Sequence, residues 1–286
     1  MNKYIFILFA GVASLAAGGI FVRLSEVDPV ATAVYRILFA MPLAFLWYKL
    51  ETNKPITINL KTTLLLQLAG VFLAIDLILW HISFHLTTIA NANLLANLIP
   101  FTVIPLSFIV FKEKIKPLFI LALGIVITGL ALLISGKIAI TEENIRGDIL
   151  AIATSFFYGL YFLIISHLRG NKNYSTGYIL FVSGFGSLFV LIPYSLIFEN
   201  NHFPSTGKGI AILLLIAVVS HLLGQGLLAV SLKNIKAALG SVLVLSQPVI
   251  AAIYSYIIFN EYLTIMEMIG ICITISGIYI AKRSSH

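Results

Sequence analysis

Apolar residues in this chain come in long unbroken runs separated by short polar stretches. The runs cover approximately residues 4–22, 29–48, 62–85, 88–111, 117–136, 148–168, 176–198, 209–232, 236–259 and 264–281. Each comes close to the roughly 20 residues that a helix needs to cross the hydrocarbon core of a bilayer. A membrane β-barrel would alternate apolar and polar positions along its strands, and these runs do not alternate. The pattern predicts an all-α integral membrane protein with ten transmembrane helices. The first run has no small-residue cleavage site followed by a polar mature chain, so it reads as a span and not as a signal peptide. No polar stretch is long enough for a soluble domain.

Composition agrees with the pattern. Hydrophobic residues make up 60% of the chain and charged residues 10%, with a mean hydropathy of +1.05. A soluble domain carries about 25% charged residues and could not cover its surface with so few. The one cysteine, Cys272, sits in an apolar run and is expected to pack; it excludes a disulfide framework or a cysteine-rich metal site. The net charge of +7 raises nucleic acid as a partner, and the placement of the charges decides against it. With the amino terminus inside, the inner segments carry Lys3, Lys49, Lys54, Lys61, Lys112, Lys114, Lys116, Arg169, Lys172, Lys233, Lys236, Lys282 and Arg283. The outer segments carry only Arg23, Lys137, Arg146 and Lys208, and Arg36 lies inside a span. This asymmetry predicts a multi-pass protein of the inner (plasma) membrane with both termini cytoplasmic. The basic residues border membrane helices and form no separate patch for nucleic acid.

The chain also repeats itself. The segment IPFTVIPLSFIVFKEKI at 99–115 is similar to QPVIAAIYSYIIFNEYL at 247–263. Pro100 corresponds to Pro248, Glu113 to Glu261 and Gly129 to Gly277, all at an offset of 148 residues. The division expected is residues 1–140 and 141–286, five spans each. Five is odd, so the second half enters the membrane inverted relative to the first. Inverted repeats are characteristic of secondary transporters, whose substrate sites lie near the midplane where the halves meet.

Ten spans, two five-span halves, and a proline followed thirteen residues later by glutamate in each half resemble the drug/metabolite transporter superfamily, in its EamA-like branch. The resemblance covers essentially the whole chain and is clearest from Ala90 to Gly129 and from Ala238 to Gly277. It implies a single-chain, ten-helix transporter of small metabolites, with a central cavity lined mainly by spans 1, 3, 4, 6, 8 and 9. It also implies that the motif residues are mostly structural and name no substrate.

Polar residues inside the spans are the candidates for a site. Asp76 lies near the middle of span 3, where a carboxylate costs about 2.5–3.5 kcal/mol on insertion scales. Two readings stand: contact with a substrate amine or a protonatable coupling group, or a pairing that locks helices together. Trp80 shares its face at i+4, either as an apolar wall for substrate or as an interface anchor. His81 and His85 also lie four apart, but no nearby acid or cysteine completes a metal site. No metal and no cofactor are expected. Asn91 reads as structural glue, while Asn93 and Asn97 share a face of span 4 and Asn97 is a cavity candidate. Pro100 and Pro248 weaken spans 4 and 9 at matching points. Counting 1.5 Å per residue puts Arg36 roughly 10 Å and Asp76 roughly 13 Å from the same surface, so the two can meet. In the second half the offset aligns Gly224 with Asp76, which brings His221 and Gln225 of span 8 to the same level. Gln247 precedes the proline of span 9. Tyr158 and Tyr161 of span 6 suit a cavity of mixed polarity. Glu113 and Glu261 are expected at opposite membrane edges, capping or tethering the helix that follows.

The substrate-cavity candidates are therefore Asp76, Trp80, Asn97, Tyr158, His221, Gln225 and Gln247, with Arg36, Pro100 and Pro248 structural or coupling. The sequence contains no HExxH, GxSxG or P-loop motif, which disfavours an enzyme and an ATP-driven pump. A channel is the main rival, though no segment resembles a selectivity filter. The reading is a secondary active transporter of a small, partly apolar metabolite, an amino acid or related compound, with export favoured by the family resemblance. Its partners are the substrate, the bilayer and, as candidate coupling ions, protons; a single chain can suffice.

Overall fold

The computed structural model describes residues 2–52, 59–87, 89–113, 115–135, 142–170, 174–259 and 262–284. Glu261, Lys54, Lys114, Lys137 and Lys172 lie outside the described residues, as do the side chains of His85 and Asn91. The described residues are helical and contain no strand, and ten helical spans are long and apolar enough to cross a membrane.

Span 1 is Asn2–Leu24. Span 2 is Pro29–Leu38 followed by Ala40–Glu51. Span 3 is Leu60–Leu86. Span 4 is Ile89–Ala96 followed by Pro100–Phe111, and span 5 is Pro117–Ile134. Span 6 is Glu142–Gly170 and span 7 is Thr176–Phe198. Span 8 joins Gly207–Leu215, a π-helical stretch Ile216–Gln225, and Gly226–Ser231. Span 9 is Ala237–Val244 followed by Gln247–Phe259, and span 10 is Ile265–Ser284. Span 6 starts six residues earlier than the apolar run predicts, because the polar stretch from Glu142 to Asp148 continues the helix beyond it.

The packing has the symmetry of an inverted repeat. Span 1 packs on span 8 as span 6 packs on span 3, and span 1 meets span 9 as span 6 meets span 4. Spans 5 and 10, 2 and 7, and 4 and 9 pair across the axis that relates the halves. Close approach at the 5–10 crossing depends on paired glycines. A Cβ on Gly129 would lie 2.5 Å from the backbone nitrogen of Thr274, and one on Gly277 would lie 2.7 Å from a methyl of Val126. Val126 and Thr274 are themselves 148 residues apart. Helices in lipid gain little from the hydrophobic effect between them, so small residues that admit close packing carry the association.

Helix ends are tied across the halves as well. The Glu199 carboxylate accepts from the backbone N–H groups of Val30 and Ala31, both at 2.7 Å, at the start of span 2. The Glu51 carboxylate accepts from the Ser175 hydroxyl at 2.6 Å and the Gly177 N–H at 3.2 Å, at the start of span 7. Glu51 and Glu199 are 148 residues apart, so each half caps the other. Glu113 breaks the expectation for it. It does not cap the helix that follows; its carboxylate accepts from Ala237 N–H at 3.1 Å and Ala238 N–H at 3.3 Å, at the start of span 9. Span 5 begins with Pro117, whose nitrogen has no hydrogen to donate. On the opposite face Glu26 accepts from the Ser205 and Thr206 amides and the Thr206 hydroxyl. That hydroxyl, first among its partners, holds the Glu26 carboxyl below the usual carboxylate range. Cys272 is exposed on the outside of the bundle and does not pack inside, contrary to expectation.

Candidate functional site

Spans 4 and 9 are both broken in the middle. The first piece of span 4 ends at Ala96, with the last turn tightened by Asn97 N–H to Leu94 O at 3.1 Å. The first piece of span 9 ends at Val244, tightened in the same way by Leu245 N–H to Val242 O at 3.1 Å. Asn97 and Leu245 are 148 residues apart. Each new piece starts with the proline at its first or second position, Pro100 in span 4 and Pro248 in span 9. Proline is tolerated there because the first N–H groups of a helix have no intrahelical partner. The prolines thus end one helical segment and open the next instead of only bending a continuous helix.

A cavity of about 60 Å³ lies at the level of these breaks, with Arg36, Asp76, Trp80, Asn97, Tyr158, Gln225 and Gln247 among the residues of its wall. Six of the seven substrate-cavity candidates therefore meet in one place, together with Arg36. Asp76 is 9% exposed and Arg36 6%. Both line the cavity, yet among the described residues they form no ion pair within 4.0 Å and share no hydrogen bond. Arg36 Nε is buried with no hydrogen-bond partner. Gln225 and Tyr158 are engaged with each other: the amide nitrogen donates to the phenolic oxygen at 3.3 Å, and the phenol lies 3.4 Å from the amide oxygen. Tyr158 stacks on Tyr161 with ring centroids 5.8 Å apart. The Asn97 amide donates to Asn93 O at 2.7 Å, one turn back on its own helix. Thr154, which the sequence reading did not select, also lines the cavity, and its hydroxyl donates to the backbone oxygen of Asp76 at 3.4 Å.

His221 departs from expectation. It is 3% exposed and belongs to the wall of neither this cavity nor its vestibule, although it lies within electrostatic reach of Arg36. Its Nδ1 is buried with no hydrogen-bond partner. It sits in the π-helical stretch, where i→i+5 bonding widens the turn and alters the faces that successive residues present. Tyr161 is buried behind Tyr158 and is not a wall residue. His81 is buried and packs its ring 5.1 Å from Trp80. Among the described residues no three His, Cys, Asp or Glu side chains gather as a metal site.

The two sides of the cavity differ. Trp80, Asn97 and Gln247 also line a vestibule of about 340 Å³ that reaches Arg23 and Pro29, towards the face that bears Glu26. Towards the face that bears Glu113, Leu8, Leu66, Phe162 and Leu228 are all buried. Beyond them, Phe111 stacks on His167 with centroids 5.8 Å apart. Arg169, one of the basic residues counted in the inner segments, is buried and donates from Nε to Ala229 O at 3.0 Å and from Nη1 to Tyr174 O. A separate pocket of about 370 Å³ between Glu113 and Lys236 shares no wall residue with the cavity. Among the described residues the cavity thus joins a vestibule towards one face, and towards the other stand buried apolar side chains, a helix cap and a buried arginine.

Comparison with known proteins agrees with this architecture. A model of the EamA-like transporter family matches residues 2–135 and 145–282. An uncharacterized transporter of Archaeoglobus fulgidus is 27% identical over 294 residues, across 100% of both chains. A second uncharacterized transporter of the same organism is 30% identical over 200 residues, covering 69% of this chain and 68% of its own. A crystal structure of 13% sequence identity covers 99% of this chain and 97% of its own, with a TM-score of 0.83, a likeness of fold alone. With the family model matched in both halves, this multi-pass membrane protein belongs to the EamA-like transporter family.

Proposed function

We propose that the chain is a secondary active transporter that moves a small, partly apolar metabolite, an amino acid or related compound, out of the cytoplasm by alternating access. It works in the inner (plasma) membrane with both termini cytoplasmic, a reading supported by the distribution of basic residues. The observation that carries the reading is the unequal surroundings of the cavity: polar groups from both halves line a space that joins the vestibule towards one face, and buried apolar side chains stand towards the other. A channel passes solute along a path open at both faces at once; a carrier needs one face closed. On the charge-based orientation this is the outward-open state. The breaks in spans 4 and 9 lie beside the cavity and are related by the repeat, which suits an exchange of shape between the halves. Export rests on the family resemblance. Asp76 serves as the anionic contact or the coupling group of the site.

Counterflow in proteoliposomes tests this. Vesicles loaded with an unlabelled L-amino acid and diluted into a trace of the labelled compound are expected to accumulate label transiently, with a rate that saturates. Linear, unsaturated flux without counterflow would replace the carrier with a channel. Counterflow with non-amino-acid metabolites alone would keep the carrier and remove the substrate class.

A further inference from the structure

The wall of the cavity holds a guanidinium and a carboxyl group that are not bonded to each other. Arg36 and Asp76 are both more than nine-tenths buried, and both face the same small space. No hydrogen bond or ion pair within 4.0 Å joins them among the described residues, and Arg36 Nε has no hydrogen-bond partner. Burying a charge is costly unless it is paired and hydrogen-bonded. Here the fold buries both groups without the hydrogen bonds that direct pairing would supply. Among the neighbouring polar groups, Gln225 and Tyr158 bond to each other and the Asn97 amide donates to its own helix.

From this we infer that Arg36 and Asp76 are the two poles of a receptor for a zwitterion. The guanidinium takes the ligand's carboxylate, which its planar fork of donors matches. Asp76 accepts from the ligand's primary ammonium group, and the remainder of the ligand extends past Trp80 into the vestibule. The inference rests on the reading of this cavity as the substrate site, and it adds a selection rule to that reading. A ligand with both charges satisfies both poles. A ligand with only one leaves a buried, desolvated charge unpaired, so amines and carboxylic acids of the same shape are rejected even though each complements half of the site. The division of space agrees: the pocket between the charges is about 60 Å³, room for a compact ionic head, while the adjoining 340 Å³ vestibule, lined by Ala16, Ile20 and Ala251, accepts an apolar side chain.

The test compares whole ligands with their halves. Purified protein is titrated with the common L-amino acids, leucine and phenylalanine included. It is also titrated with isopentylamine and phenethylamine, which lack the carboxylate, and with isocaproate and hydrocinnamate, which lack the ammonium. Binding is read as a shift in melting temperature and as Trp80 fluorescence in a Trp47→Phe background, since the chain has 2 tryptophans. At least one amino acid is expected to bind saturably, with each half-ligand weaker by roughly tenfold or more, one missing charge contact. Asp76→Asn should erase the preference for the amino acid over its acid half, and Arg36→Gln the preference over its amine half. Absence of binding by every amino acid, or half-ligands that bind as tightly as the whole, would overturn the inference. Should either variant fail to fold, the wild-type comparison of whole and half ligands still decides. Counterflow of another solute without amino-acid binding would remove the zwitterion receptor and leave transport standing; saturable amino-acid binding without counterflow would do the reverse.

Discussion

At the residue scale, the relation between Arg36 and Asp76 governs how the molecule responds to substitution. Counting along the spans puts both at similar depth and allows a salt bridge that would lock spans 2 and 3. The structure brings them to one cavity and leaves them unbonded to each other. Removing one partner of a bonded buried pair costs about 3–5 kcal/mol, because the other is left unpaired. Here the two groups share no hydrogen bond, so neither substitution strands a hydrogen-bonded partner. Asp76→Asn and Arg36→Gln are each expected to leave the melting temperature unchanged or raised, and the double variant to show a coupling energy below the roughly 3–5 kcal/mol of a bonded buried pair. Thermal unfolding in detergent measures all three. A sharp loss in one single variant that the second substitution restores would establish a structural pair instead. Depth and offset made Asp76, Trp80, Asn97, Gln225 and Gln247 legible as neighbours, since a residue's height in a span follows from helical rise alone. His221 was misplaced because the hydrophobic pattern carries no mark of a π-helical turn.

At the element scale, span 5 offers a comparison between two glycines of opposite circumstance. Gly129 faces the backbone of span 10, with Thr274 nitrogen 2.5 Å from where a Cβ would stand, while a Cβ on Gly124 would meet nothing within 4 Å. Gly129→Ala is expected to destabilise by about 1–3 kcal/mol through overpacking. Gly124→Ala should be neutral or stabilising by up to about 1 kcal/mol, the ordinary helix preference for alanine. The difference in melting temperature between the two variants is the readout; equal effects would mean that spans 5 and 10 do not approach this closely. The elements themselves were the most legible part of the fold. Each span is a long apolar run, and the two prolines marked the breaks in spans 4 and 9. The cap donated by Glu113 was not legible, because its partner is more than 120 residues away and sequence reasoning looked to the next helix. The caps from Glu51 and Glu199 do share the 148-residue offset, and that offset, applied to acids at helix ends, is the signal that would have found them.

At the scale of the whole molecule, the vestibule gives the orientation an experimental handle. In a Cys272→Ser background, Lys116→Cys is expected to react with a membrane-impermeant thiol reagent only from the cytoplasmic side, and Lys208→Cys only from outside. Asn97→Cys should follow Lys208→Cys, since its cavity opens towards the Glu26 face. Labelling of Lys116→Cys and Lys208→Cys from the same side would contradict the inversion of the halves, and a Asn97→Cys that reacts only with Lys116→Cys would reverse which door stands open. The reciprocal caps bear on how such doors can move. Glu51 fastens the end of span 2 to the start of span 7 at one surface, and Glu199 fastens the end of span 7 to the start of span 2 at the other. A pair of rods clasped at both ends can pivot together but cannot part at either end. Spans 2 and 7 are therefore tied to each other at both ends, and neither half of the chain owns the tie: cut the protein in two between span 5 and span 6, and each piece carries away the clasp that the other one needs.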